Sequence, residues 1–87
     1  MIVELNDLFE KAVADSKALA KRPANDVLLN LYAYYKQSTA GDINIDPPVN
    51  PFDFVAKAKY NAWEGLKGKA KETAMQEYID LVTKLKG

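Results

Sequence analysis

The chain has 87 residues, enough for one domain with one modest core. Its 12 lysines and arginines balance 12 aspartates and glutamates, so nothing global points to nucleic acid or an anionic membrane. It has no cysteine and no histidine, which excludes disulfides, thiolate and imidazole metal sites and the usual nucleophile–base pairs; no catalytic or metal-ligating residue is expected.

Leu5, Phe9, Ala12, Val13, Ser16 and Leu19 recur at helical spacing with charges between them, predicting a first amphipathic helix over roughly 4 to 20. Leu8 and Ala20 extend the same stripe. The opening MIVELNDLFEKAV brings in acids too early for a secretory signal, and no apolar run reaches membrane length, so a cytoplasmic location is expected. Pro23 breaks the first element, and Asn25 or Asp26 is the expected cap of a second helix over 25 to 39, which ends at Gly41.

Residues 42 to 53, DINIDPPVNPFD, contain three prolines and no sustained period. A connection this long is unusual in so small a domain. Ile43, Ile45, Val49 and Phe52 suggest an ordered strap packed on the helices. Its length also frees the next helix from the antiparallel arrangement that short loops impose. Phe54, Val55, Ala58, Ala62 and Leu66 mark a third helix that ends near Gly68. Ala70, Ala74, Tyr78, Leu81, Val82 and Leu85 mark a fourth, from about 70 to 86. The expected class is all-α: a four-helix bundle, one domain over 1 to 87, with a long ordered crossover between helices 2 and 3.

Charge is uneven along the chain. Residues 25 to 53 carry four acids and one base, Lys36, whereas residues 54 to 87 carry seven lysines and four acids. A basic C-terminal half suits an anionic ligand, and solvated helix surfaces suit it equally. The second helix is unusual because it has two apolar faces. At about 100° per residue, Val27, Leu31 and Tyr34 fall on one side, and Leu28, Tyr32, Tyr35 and Lys36 on another, with Leu29 at the edge. Tyr34 therefore reads as core. Tyr32, Tyr35 and Lys36 are within reach of one another, either as crowded packing beside a solvated lysine or as a receptor for a ring and a phosphate. Lys59 flanks the third helix's stripe, Lys17 borders the first, and Tyr78 lies mid-stripe in the fourth with a hydroxyl in need of a partner.

With those residues in view, the sequence resembles the acyl-CoA-binding protein family over nearly its whole length. YAYYKQSTAGDIN at 32 to 44 is similar to that family's Y-x-x-Y-K-Q-[AS]-T-x-G-D signature. KAKYNAWEGLKGKAKETAMQEYI at 57 to 79 is similar to its K-x-K-W-x-A-W-x-x-L-K-G segment and the A-M-x-x-Y-I that follows. The resemblance implies an up-down-down-up bundle that binds medium- to long-chain fatty acyl-CoA thioesters and carries them without reacting them. It implies acyl-CoA contacts from Lys17, Leu28, Leu29, Tyr32, Tyr35, Lys36, Lys59 and Tyr78. Tyr32 would meet the adenine, Lys36 the phosphates and Lys59 the 3′-phosphate, while Phe9 and Val13 would lie along the acyl groove. No cofactor beyond the fatty acyl-CoA ligand is implied. A monomer is expected, with transient contacts to membranes and acyl-CoA-using enzymes and none to nucleic acid.

Three positions depart from the pattern. Tyr60 replaces a tryptophan, Val55 stands where a lysine is frequent, and Ala70 occupies a capping position with Thr73 in place of an acid. The main alternative is a helical interaction module whose tyrosine–lysine face takes a peptide or partner helix. An enzyme and a nucleic-acid binder rank behind it, given the missing histidine and cysteine and the zero net charge.

Overall fold

The computed structural model describes residues 4–87 and contains, among them, four helices and no strand: α1 (Leu5–Lys17), α2 (Asn25–Thr39), α3 (Phe54–Glu64) and α4 (Lys71–Lys86). Their relative directions follow from which ends meet. Lys86 Nζ lies 3.1 Å from Asp15 Oδ2, so α1 and α4 finish together and run parallel. Gln37 Nε2 donates to the Lys69 carbonyl at 2.7 Å, which places the end of α2 beside the start of α4 and makes those two antiparallel. Lys36 lies over Trp63 near the ends of α2 and α3, while Leu28 and Phe54 face one another near their starts. These two helices are therefore parallel, and the topology is up-down-down-up, as expected.

Helix α4 packs on both α1 and α2, whereas α3 packs on α2 alone. The central cluster is Phe9, Ala12, Leu31, Tyr78 and Val82, with Tyr34 half-buried against it. Helix α3 adds only Trp63 to the buried set. Phe9 meets Tyr78 edge-on at 5.1 Å between ring centroids, a geometry that aromatic quadrupoles favour.

The end of α2 is held by a polar clasp. Gln37 is fully buried, and its Nε2 donates both to the Lys69 carbonyl and, at 2.9 Å, to Asp42 Oδ1. That carboxylate also accepts the Gly68 amide at 2.8 Å. Beside it, the Trp63 indole N–H donates to the Gly41 carbonyl at 2.9 Å. Gly41 lies at φ +84°, a left-handed conformation natural to glycine after a helix, which meets the expectation for this turn.

Several expectations are corrected. Helix α1 stops at Lys17 rather than 20, because the Ala18 amide turns back to the Asp15 carbonyl in a tighter closing turn. The N-cap of α2 is Ala24, not Asn25 or Asp26; both lie inside the first turn, where Asp26 complements the helix dipole instead. Helix α3 ends at Glu64, and turns carry the chain on to Gly68 at φ +92°. The strap is not packed by its apolar residues: Ile45, Val49 and Phe52 are exposed, Val49 at 97 %, and only Ile43 is half-buried. Its end is organised by polar turns, in which Asn50 Oδ1 accepts the Phe52 amide and Asp53 Oδ1 accepts that of Ala56. Leu8, Phe54 and Val55, placed on apolar stripes by periodicity, are exposed as well; for the latter two, α3 packs on α2 alone and leaves a cleft between the two helices.

Two predictions follow from these ends. Ala70 caps α4 with extended backbone and no side-chain acceptor, so Ala70→Ser should stabilise the protein by about 0.5–2 kcal/mol, read as a higher urea midpoint. The Gly68 amide, and then Gln37, hold the Asp42 carboxyl below the ordinary carboxylate range. A carboxyl depressed in the folded state adds stability above its unfolded pKa of about 3.9 and loses it as pH falls through the folded value. The urea midpoint of the wild type should therefore exceed that of Asp42→Asn at neutral pH, and the difference should close under acid. A gap that persists in strong acid would count against the clasp's charge.

Candidate functional site

Helix α2 separates two environments, and its sequence is built for both. Leu31 and Tyr34 face α1 and α4, and Leu28, Leu29 and Tyr32 face α3 or the edge between the two sides. Three concavities follow one another around it, joined by shared side chains. The first lies between α1, α2 and α4 and is lined by Phe9, Val13, Tyr35 and Met75. The second shares Val13 and Tyr35 and adds Lys17, Leu28, Tyr32 and Tyr78. The third, a cleft of about 720 Å³ between α2 and α3, shares Leu28 and adds Leu29, Phe54, Val55 and Lys59. Arg22 and Asn25, ahead of and at the start of α2, also border this cleft.

The structure thus gathers six of the expected residues, Val13, Lys17, Leu28, Tyr32, Tyr35 and Tyr78, around one hollow. Leu29 and Lys59 belong to the next, and the Lys59 ammonium lies 5.4 Å from the centroid of the Tyr32 ring, linking the two. Phe9 and Val13 line the first hollow and do not share one with Leu29. Phe9 is 6 % exposed, stacks at 6.0 Å on Tyr35 and is mainly a core residue. Lys36 lines none of the three; its ammonium sits 5.2 Å from the Trp63 centroid, one turn beyond Tyr32.

Tyr78 finds the partner its burial demands. Its hydroxyl donates to Ser16 Oγ at 2.9 Å, and Ser16 donates onward to the Val13 carbonyl at 2.7 Å. Burial pushes the Tyr78 phenol above its ordinary pKa, with the Ser16 hydrogen bond acting in the opposite sense. The phenol stays neutral, a donor to serine with lone pairs left to accept from a ligand.

None of Lys17, Lys36 and Lys59 has a carboxylate within salt-bridge distance among the described residues, whereas Lys11, Lys69 and Lys86 do. The site therefore offers uncommitted cations beside aromatic faces and an apolar cleft. Sequence reasoning missed Arg22, Phe54 and Val55 as cleft-lining groups. Phe54 and Val55 carried a signal only as apolar positions at a helix start, and periodicity assigned those to the core.

Comparison with known proteins gives this geometry a context. Residues 6–82 match the family model described as Acyl CoA binding protein. The chain is 49 % identical to the acyl-CoA-binding protein of Dictyostelium discoideum over 77 residues, which are 88 % of this chain and 90 % of that one. It is 51 % identical over 77 residues to enoyl-CoA delta isomerase 2 of Rattus norvegicus, covering 88 % of this chain but only 19 % of the isomerase. The fold superposes on the crystal structure of Oryza sativa acyl-CoA-binding protein 2 with a TM-score of 0.88 at 35 % identity, over 94 % of this chain and 90 % of that one. A family match across most of the sequence and a shared four-helix architecture lead to one assignment: the chain belongs to the acyl-CoA-binding protein family.

Proposed function

We propose that this protein binds medium- to long-chain fatty acyl-CoA thioesters and carries them, unreacted, between the enzymes and membranes that make and use them. The observation that carries the reading is the meeting of an apolar cleft with uncommitted cations and aromatic rings: Lys59 lies over Tyr32 where the α2–α3 cleft adjoins the Lys17 hollow. The acyl tail lies in the cleft against Leu28, Leu29, Phe54 and Val55. The nucleotide end spreads over Tyr32 and Tyr35, with Lys17, Lys36 and Lys59 meeting its phosphates and Tyr78 completing the hollow. A cleft of about 720 Å³ is in the range of small-molecule sites.

The energetics favour a ligand with both ends. Each hidden methylene contributes about 0.8 kcal/mol, and each charge-assisted hydrogen bond to phosphate about 1.5–3 kcal/mol. Association then costs several kcal/mol of lost freedom, so neither half alone binds tightly. The isomerase likeness covers a small part of that enzyme, and we read this chain as a binder rather than a catalyst. It acts as a monomer in the cytoplasm and touches membranes and acyl-CoA-using enzymes transiently; no described helix is long and apolar enough to cross a membrane.

Calorimetric titration tests the reading. Palmitoyl-CoA should bind far more tightly than CoA or palmitate, Lys59→Met should weaken it about tenfold or more, and Tyr32→Ala should weaken it further. A wild-type protein indifferent to palmitoyl-CoA that bound a helical peptide instead would replace the carrier with an interaction module.

A further inference from the structure

The stretch KQSTAGD at 36 to 42 contributes only Lys36 to the proposed ligand contacts, yet Gln37, Ser38, Gly41 and Asp42 are tied by hydrogen bonds. Gln37 and Ser38 are buried at 0 and 2 % exposure, and Gln37 ties α2 to the Lys69 carbonyl and to Asp42, itself bound by the Gly68 amide. Gly41 accepts the indole N–H of Trp63, which is 1 % exposed. The ring plane of Trp63 is thereby fixed by one hydrogen bond and close packing, and the Lys36 ammonium rests over its face. A lysine is a flexible four-carbon stem that loses much of its rotamer freedom when it grips a phosphate. A fixed aromatic face beside it restricts that freedom before the ligand arrives, and preorganisation of this kind is expressed as affinity.

We propose that Trp63 is a positioning residue for Lys36, and that the Gln37–Asp42–Gly68 clasp keeps it so by fixing the Gly41 carbonyl that orients the indole. The proposal rests on the reading of Lys36 as a contact to the phosphates of acyl-CoA. Trp63 touches no part of the ligand; it sets where the ammonium stands. Removing it lowers affinity only for ligands that carry phosphate, and only while Lys36 is present.

The test is a double-mutant cycle read by calorimetry with two ligands, palmitoyl-CoA and palmitoyl-pantetheine, which has the same thioester and tail but no phosphate. Trp63→Phe should weaken palmitoyl-CoA about threefold, leave palmitoyl-pantetheine unchanged, and add nothing once Lys36→Met is in place. If circular dichroism shows that Trp63→Phe does not fold, Asp42→Ala at the exposed end of the clasp should give the same pattern. Equal losses for both ligands, or an undiminished loss in the Lys36→Met background, would overturn the positioning role while leaving Lys36 as a phosphate contact. No effect of Lys36→Met itself on palmitoyl-CoA would remove the reading of Lys36, and the proposal with it.

Discussion

Helix α2 must satisfy two neighbours at once, and a buried glutamine near its end makes this possible. A side-chain amide without exposure costs several kcal/mol if its N–H donors are left unpaired, and the Gln37 Oε1 already goes without a partner among the described residues. Gln37 can place both Nε2 protons only if Asp42 folds back across the turn and the Lys69 carbonyl arrives from the far side of α3. The clasp thus closes the α2 terminus, the exit from α3 and the entrance to α4 in one bonded unit. With those three points joined, α4 has to run antiparallel to α2, and α3 parallel to it. The long strap between α2 and α3 then only spans the distance, which explains why Ile45, Val49 and Phe52 need not pack.

Most of the architecture was legible because it depends on period. The helices appear where the 3.6-residue pattern places them, and the two faces of α2 are visible as two sets of apolar residues. The ends were less legible, because a helix terminus depends on one or two hydrogen bonds. Asn25 and Asp26 have good capping chemistry, but the helix starts one residue earlier, with Ala24 at the cap in extended backbone. Exposure was the least legible property. Periodicity shows that Phe54 and Val55 lie on α3's apolar stripe; it does not show that α3 has only one helical neighbour. Among the site residues, Lys59 carried a signal as a cation flanking a stripe, Tyr78 as a mid-stripe hydroxyl in need of a partner, and Tyr32 as part of the second face of α2. Gln37 carried none apart from the family motif, since an isolated glutamine in a helix looks like a solvated one.

That unpartnered face makes physical sense of the ligand. Two large apolar side chains left 72 and 65 % exposed forgo stabilisation of about 25 cal/mol for every Å² not buried. A chain of this size has little to spare, since small domains bury a smaller share of their surface than large ones. The arrangement is reasonable where the missing contact is supplied from outside, and a fatty tail in the α2–α3 cleft supplies it without any polar group to satisfy. On the proposed function the bundle then has two cores: one closed by α1, α2 and α4, and one that a bound acyl chain completes.

The cations follow the same logic. Lys11 and Lys86 share Asp15, and Lys69 meets Glu77, so each of those ammonium groups already has a carboxylate in contact. Lys36 and Lys59 rest against rings instead. An aromatic face attracts an ammonium by about 0.5–2 kcal/mol, enough to keep it near the site but less than a charge-assisted bond to phosphate provides. A carboxylate in the same place would have to be displaced or left unpaired when a polyanion arrived, and that penalty would cancel much of the gain. Tyrosine and tryptophan hold the lysines without competing for them. This is a physical reason for the proposed phosphate site to be so rich in aromatic residues, and in that proposal Tyr32 serves twice, as the observed support for Lys59 and as the stacking surface for an adenine.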